Sequence, residues 1–267
     1  MTKIYAHRGF SSIYPENSMD SIKEAIKYDY IDGIEIDVRM TKDKKFVLIH
    51  NRDISDISKD IGNVNDYTLE ELKKIDFHYN KTDYKISLLK SFINKDGVLQ
   101  RKRLKKIRKY TYKVVTLEEV LDIIKDKILL IEIKYNTFDK FDLKEFYNII
   151  SKYKNKNIEI QCFSKKIIKD LKKIDNKLKL GILIWDTNIE EKIKIKTNFI
   201  SIKDNVINSN ILDNELYKKK IINIWTVDYY KQFRNLVKNV DGKINELNII
   251  TNYPDLIYKY LNNLNKK

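Results

Sequence analysis

The chain has 267 residues, 42% of them hydrophobic and 34% charged, which is ample for a real core and too apolar for a disordered protein. A single cysteine, Cys162, excludes an intrachain disulfide and suits a reducing, cytoplasmic setting; no stretch has the apolar core of a secretory signal or the length to span a bilayer. The net charge of +15 fits an anionic partner or simply a chain rich in Lys, Asn, Ile and Tyr, and the composition favours the second reading.

The predicted elements alternate. KIYAH (3–7) reads as a strand, followed by an amphipathic helix over 18–28 with Asn17 or Ser18 as N-cap, and then by a strand at GIEIDV (33–38). FVLIH (46–50) follows GIEIDVRM after only TKDKK. That is too short for a parallel crossover, so this arm is predicted to return as an antiparallel hairpin. Two capping boxes, Thr68–Glu71 and Thr116–Glu119, open helices in the irregular region 51–127, and 77–113 between them reads as a helical insert. Strands are then expected at 128–134, 158–163, 180–185, 199–203, 222–227 and 247–251, with helices at 142–153, 164–175, 230–240 and 253–264. With the hairpin arm set aside, eight βα strands remain, the count of a (β/α)8 TIM barrel in one domain over 1–267. A doubly wound open sheet is the alternative, but no Gly-rich turn follows the first strand.

Barrel chemistry sits at the C-terminal strand ends. Strand one ends in His7-Arg8-Gly9, strand two carries Glu35 and Asp37, the returning arm ends in His50, and the next barrel strand carries Glu132 and Lys134. Glu35 and Asp37 are two apart and share the interior face, where paired carboxylates are costly without compensation. A hard divalent cation relieves that cost, with Glu132 as third oxygen ligand, and such a set suits Mg²⁺ or Ca²⁺ better than Zn²⁺. The alternative is plain ion pairing with Arg8, Lys134 or Arg39. His7 and His50 are the candidate acid–base pair, and Arg8 and Lys134 the candidate phosphate ligands. His78 has no such company and reads as structural or surface. Phe163 and Trp225 also end strands and form a candidate substrate wall, with rim packing as the alternative.

These stretches resemble the glycerophosphodiester phosphodiesterase family. The matching residues are HRG…PEN (7–17), DGIEIDVRMTKDKKFVLIHN (32–51), LLIEIK (129–134), WTVD (225–228) and IITNYPD (249–255). The resemblance implies a (β/α)8 barrel and metal-dependent hydrolysis of glycerophosphodiesters to an alcohol and glycerol 3-phosphate through a cyclic phosphate. It implies His7 and His50 as the acid–base pair, Glu35, Asp37 and Glu132 as metal ligands, and Arg8 and Lys134 at the phosphate. Asn51 stands where the family usually has Asp, Ser18 where it usually has Thr, and 77–113 does not match closely. Gly9 is expected to let the backbone pass close to a ligand, and Pro15 and Asn17 to be turn chemistry only.

Two other readings compete. One is phospholipase D-like or lysophospholipase D activity on lipid phosphodiesters. The other is a basic nucleic-acid or lipid-surface binding protein with a vestigial site. The intact His and carboxylate set argues against the second, and no nucleic acid is expected as partner. RKRLKKIRKY (101–110) is predicted to be a helix with Leu104, Ile107 and Tyr110 on one side, near the mouth. It either docks on an anionic membrane surface or is a solvated helix, and the solvated reading is favoured.

Overall fold

The computed structural model describes residues 1–79, 81–92, 95–135, 141–186, 195–214, 220–264 and 266, with the backbone alone over 81–85. In chain order the first elements are β1 (Ile4–His7), α1 (Met19–Ile26), β2 (Gly33–Met40), β3 (Phe46–Leu48), α2 (Leu69–Lys74), β4 (Phe77–His78), α3 (Lys81–Ser91), α4 (Gly97–Ile107), β5 (Thr111–Tyr112) and α5 (Leu117–Ile123). There follow β6 (Ile128–Ile133), α6 (Leu143–Ile150), β7 (Ile158–Cys162), α7 (Lys165–Ile174), β8 (Lys179–Ile184), β9 (Phe199–Lys203), α8 (Ser209–Asp213), β10 (Ile221–Trp225), α9 (Tyr230–Asn239), β11 (Leu247–Thr251) and α10 (Pro254–Leu264).

Eight parallel strands, β1, β2 and β6 to β11, pair in order, and β1 closes the ring by pairing with both β2 and β11. This is the expected (β/α)8 barrel. Outward-facing residues such as Ile34, Ile36, Val38, Leu129, Ile131 and Ile133 pack on the apolar stripes of the helices, including Ile22, Leu117, Phe146 and Leu171. Fully burying each such side chain contributes roughly 1.5–3 kcal/mol. Inside the ring, Tyr5, Ile128, Leu130, Phe199 and Ile250 form an apolar plug. A polar chain also runs across neighbouring strands inside the barrel. Asn248 Nδ2 donates to Asn223 Oδ1 at 2.9 Å, Asn223 Nδ2 to Ser201 Oγ at 3.3 Å, and Ser201 Oγ to Gln161 Oε1 at 2.6 Å.

The short connection behaves as its length requires. β3 runs antiparallel to β2, with Arg39 opposite Val47. Both capping boxes form: the Thr68 and Thr116 amides donate to Glu71 and Glu119, each at 2.7 Å, and the reciprocal bonds are present. The insert is bounded by a two-residue ribbon in which Phe77 opposes Tyr112 and His78 opposes Thr111. The basic run departs from expectation at two points. Its helix ends at Ile107, and Arg103 turns inward onto Asp255, at 2.6 and 3.1 Å, and Ser12, at 3.2 Å. A fork-on-carboxylate pair competes well against solvation of a guanidinium. Leu104 and Ile107 are buried as the spacing requires.

The plug leaves no room at Gly181, where a Cβ would lie 2.0 Å from the Phe199 ring. Gly181→Ala should therefore destabilise the fold by roughly 1–3 kcal/mol, and Phe199→Leu in the same chain should recover part of the loss. Thermal melts of the two single variants and the double variant check this; additive losses would contradict it.

Candidate active site

The chain turns sharply after β1, with Arg8 at φ 56° and Gly9 at φ 76°. A Cβ on Gly9 would lie 2.4 Å from Ser21 Oγ and 2.7 Å from the Ser21 carbonyl carbon. Gly9 therefore lets the turn press on α1, a close approach to the protein's own helix. Ser18, not Asn17, caps α1, its side chain accepting from the Ser21 amide. Asn17 is freed for another task and sits at φ 55°. Its Nδ2 donates to Asp37 Oδ2 at 2.9 Å and its Oδ1 accepts from the Asp37 amide at 3.1 Å. The expectation that Asn17 is turn chemistry alone is thus corrected: its side-chain amide holds Asp37 by both the carboxylate and the backbone N–H.

Glu35, Asp37 and Glu132 converge as the alternation predicts. Each offers a carboxylate oxygen within 4.8 Å of the others, and they are 1, 0 and 7% exposed. The register explains this, because Asp37 of β2 lies opposite Glu132 of β6. Lys134 Nζ stands 3.0 Å from Asp37 Oδ1 and 2.5 Å from Glu132 Oε1. Arg8 Nε lies 3.0 Å from Asp37 Oδ2, and its Nη1 is 2.7 Å from Glu16 Oε2. Ion pairing and a shared carboxylate centre therefore coexist. Arg39 donates to the His50 carbonyl at 2.7 and 3.0 Å. Glu35 Oε1 is buried with no hydrogen-bond partner. A lone oxygen of this kind beside two more carboxylates makes a donor set suited to a hard divalent cation.

The electrostatics divide the three acids. Burial, with repulsion from Asp37 and Glu132, raises the Glu35 pKa well above the usual carboxylate range. Burial also raises Glu132, against the pull of Lys134. At Asp37 burial acts the same way, but Lys134 and Arg8 outweigh it and hold the carboxyl well below the usual range.

Both imidazoles border this centre. His7 Nε2 is 3.8 Å from Glu35 Oε2, and its Nδ1 is 2.8 Å from Asn252 Oδ1. Asn252 is held in turn by Asp228, whose carboxylate accepts from the Asn252 amide at 2.8 Å and from its Nδ2 at 2.7 Å. His50 Nδ1 lies 3.1 Å from Asn51 Oδ1, so Asn51 keeps a contact with the ring without the charge of an Asp. Burial and the Arg8 charge push His7 down to about 3 and His50 to about 2. His78 lies on the ribbon, its Nδ1 3.0 Å from the Tyr79 carbonyl.

A polar cleft of about 200 Å³ opens beside His7 and Arg8, walled by Ser11, Lys90, Leu104 and Asp228 among others. Lys90 and Leu104 belong to the insert, so α3 and α4 stand at the mouth as expected for this segment. Phe163 and Trp225 meet edge to face with ring centres 5.9 Å apart, and Trp185 adds a third ring 6.4 Å from Phe163. Sequence reasoning missed Trp185, Glu16, Asn17, Asp228 and Asn252. All five end strands or sit in the turns that follow them, which was the available signal; their partners were not in the spacing.

Comparison with known proteins agrees with this geometry. The sequence model of the glycerophosphoryl diester phosphodiesterase family matches residues 7–255. The chain is 30% identical to a glycerophosphodiester phosphodiesterase of Caldanaerobacter subterraneus subsp. tengcongensis, covering 96% of both chains, and 27% identical to one of Bacillus altitudinis, covering 97% of this chain and 98% of the relative. In fold it is similar to an Oleispira antarctica phosphodiesterase solved with the product sn-glycerol-3-phosphate, at TM-score 0.73 and 16% identity, over 98% of this chain and 97% of the other. A glycerophosphodiester phosphodiesterase from Thermotoga maritima superposes at TM-score 0.65 and 22% identity, over 97 and 98% of the two chains. The family match runs from His7 at the end of the first strand to Asp255 in the last helix, so it takes in both imidazoles and all three buried carboxylates, and the chain belongs to the glycerophosphoryl diester phosphodiesterase family.

Proposed function

We propose that the protein hydrolyses glycerophosphodiesters to an alcohol and glycerol 3-phosphate, with Glu35, Asp37 and Glu132 holding one divalent cation, Mg²⁺ or Ca²⁺. The observation that carries this reading is the partnerless buried oxygen of Glu35 within a three-carboxylate cluster flanked by two imidazoles. When bound, the cation supplies Lewis-acid stabilisation of charge on phosphoryl oxygens.

The residues of the chain divide the remaining work. Arg8 and Lys134, already anchored on the carboxylates, face the phosphate with positive charge. One imidazole takes the proton of the glycerol hydroxyl beside the phosphate, and the hydroxyl oxygen attacks phosphorus. The other imidazole gives a proton to the departing alkoxide; water then opens the cyclic phosphate by the reverse proton transfers. The anionic substrate raises the pKa of the imidazole that faces the leaving oxygen, opposing the burial that depresses it in the free protein. Phe163, Trp185 and Trp225 wall the leaving-group side, where aromatic faces suit glycerol or a choline cation. A phospholipase D-like reaction on lysolipids is the second reading, favoured by Ile86, Leu104 and Ile107 on the wall of the cleft.

The relay behind His7 fixes its tautomer. Asp228 accepts from Asn252 Nδ2, so Asn252 Oδ1 faces the ring, and neutral His7 must carry its proton on Nδ1. Nε2 is left bare towards Glu35, as a general base requires.

Three outcomes test the reading. First, glycerol 3-phosphate release from glycerophosphocholine should vanish on chelation and return with Mg²⁺ or Ca²⁺, and His7→Ala and His50→Ala should each lower turnover by roughly a hundredfold or more. Cation-independent turnover would contradict the metal reading, and faster release from lysophosphatidylcholine would favour the lysolipid one. Second, ¹⁵N NMR should show His7 protonated at Nδ1 at neutral pH. Asp228→Asn should move that proton to Nε2, because an amide at 228 turns Asn252 over; Asp228→Asn with Asn252→Asp should restore it. Third, proton linkage should appear in cation binding. The protonated form of Glu35 supports the cation-free fold fully below the ordinary value of 4.5, and that support is lost as pH rises through the raised folded pKa. The thermal shift produced by Mg²⁺ or Ca²⁺ should therefore grow as pH rises from about 5 to 7; a shift that shrinks over that range would contradict the assignment.

A further inference from the structure

Helices α3 and α4 lie side by side at the mouth. Ile86, Ser87 and Lys90 of α3 and Leu104 and Ile107 of α4 look into the cleft. The solvent side of the same pair is unusual. Of the eleven large apolar side chains exposed among the described residues, five fall between residues 86 and 99: Ile86 at the edge of the cleft, and Leu89, Phe92, Val98 and Leu99 away from it. Leu89, Phe92 and Val98 are the most open of these, at 71, 65 and 75%. Single exposed apolar residues need no explanation, but a cluster on one short hairpin does. The Arg101 guanidinium lies 4.7 Å over the Phe92 ring and donates to the Ser91 carbonyl at 3.0 Å, which ties the end of α3 to α4.

Charge says what such a surface meets. Residues 86–110 carry nine Lys and Arg against one carboxylate, Asp96. Asp96 is already engaged by the Tyr260 hydroxyl and faces Lys259 at 3.9 Å. With Arg103 turned inward, Lys95, Lys102, Lys105 and Lys106 remain exposed around the apolar residues. A second copy of the chain would bring like charges together. An apolar face ringed by lysines matches an interface of acyl chains beneath anionic headgroups.

We propose that the α3–α4 hairpin docks on an anionic phospholipid bilayer, with Leu89, Phe92 and Val98 entering the interface and Lys95, Lys102 and Lys105 meeting headgroup phosphates. In this proposal the exposed apolar residues that precede the basic run, rather than the run alone, make the surface. Binding is read without turnover, so the proposal stands or falls apart from the hydrolytic one.

The test is sedimentation with vesicles at about 0.15 M salt. Phosphatidylcholine vesicles containing phosphatidylglycerol should bind the protein, and pure phosphatidylcholine vesicles should bind it about tenfold more weakly or less. Leu89→Ser, Phe92→Ser and Val98→Ser combined should weaken binding to the anionic vesicles by about tenfold or more, with hydrolysis of a soluble diester and the circular dichroism spectrum unchanged. Lys102→Glu with Lys105→Glu should weaken it as well. Lys154→Glu with Lys177→Glu, the same change of charge on other exposed lysines, should leave it within about twofold. Unchanged binding by the apolar variant, or equal effects of the two charge pairs, would overturn the proposal in favour of bulk charge. A concentration-dependent dimer that the apolar variant abolishes would overturn it in favour of self-association.

Discussion

Three carboxylates buried in the mouth of an apolar barrel are the constraint around which this protein is arranged. Left to themselves they repel, and each loses the water that would stabilise its charge. Two buried cations take up part of the strain. Lys134 bridges Asp37 and Glu132, while Arg8 links Asp37 to Glu16. The compensation is uneven: Asp37 is held strongly ionised, whereas Glu35 and Glu132 are pushed towards protonation. That residual imbalance is what the proposed divalent cation would correct.

The fold delivers this cluster through strand register and holds it through the turns above. Register alone brings Glu35 beside His7 and Asp37 beside Glu132. The turns add the supports: Asn17 on Asp37, Glu16 on Arg8, and Asp228 on Asn252 behind His7. Positive φ at Arg8, Gly9 and Asn17 marks the stretch where the backbone is bent to make this possible. Polar groups in these turns are satisfied by the site rather than by solvent. The cluster is therefore held by the protein's own groups, which is what electrostatic catalysis asks of its scaffold.

The barrel was legible because two periodicities survive in the sequence. Apolar alternation such as GIEIDV and LLIEIK marks strands, and the same alternation says which of their charged residues face inward. The hairpin arm was legible from length alone, since TKDKK cannot form a crossover. The positioning residues were not legible in role. A carboxamide such as Asn17 looks identical as a turn residue and as a two-ended clamp on Asp37, and only tertiary placement decides. Gly9 shows the same limit: its close neighbour within the protein, Ser21, lies twelve residues on in sequence and is adjacent only once α1 has packed. The charge of the basic run was plain, but its setting was not: Arg103 pairs with Asp255, and exposed apolar residues of the insert precede the run.

The central claim is that Glu35, Asp37 and Glu132 form one divalent-cation site. The most direct measurement is anomalous diffraction from crystals soaked with Mn²⁺, a scattering substitute for Mg²⁺ with the same preference for oxygen. The account predicts a single strong peak between the three carboxylates, with Glu35 Oε1 among the ligands. A cluster that stays free of metal while Mn²⁺ occupies other sites would contradict it.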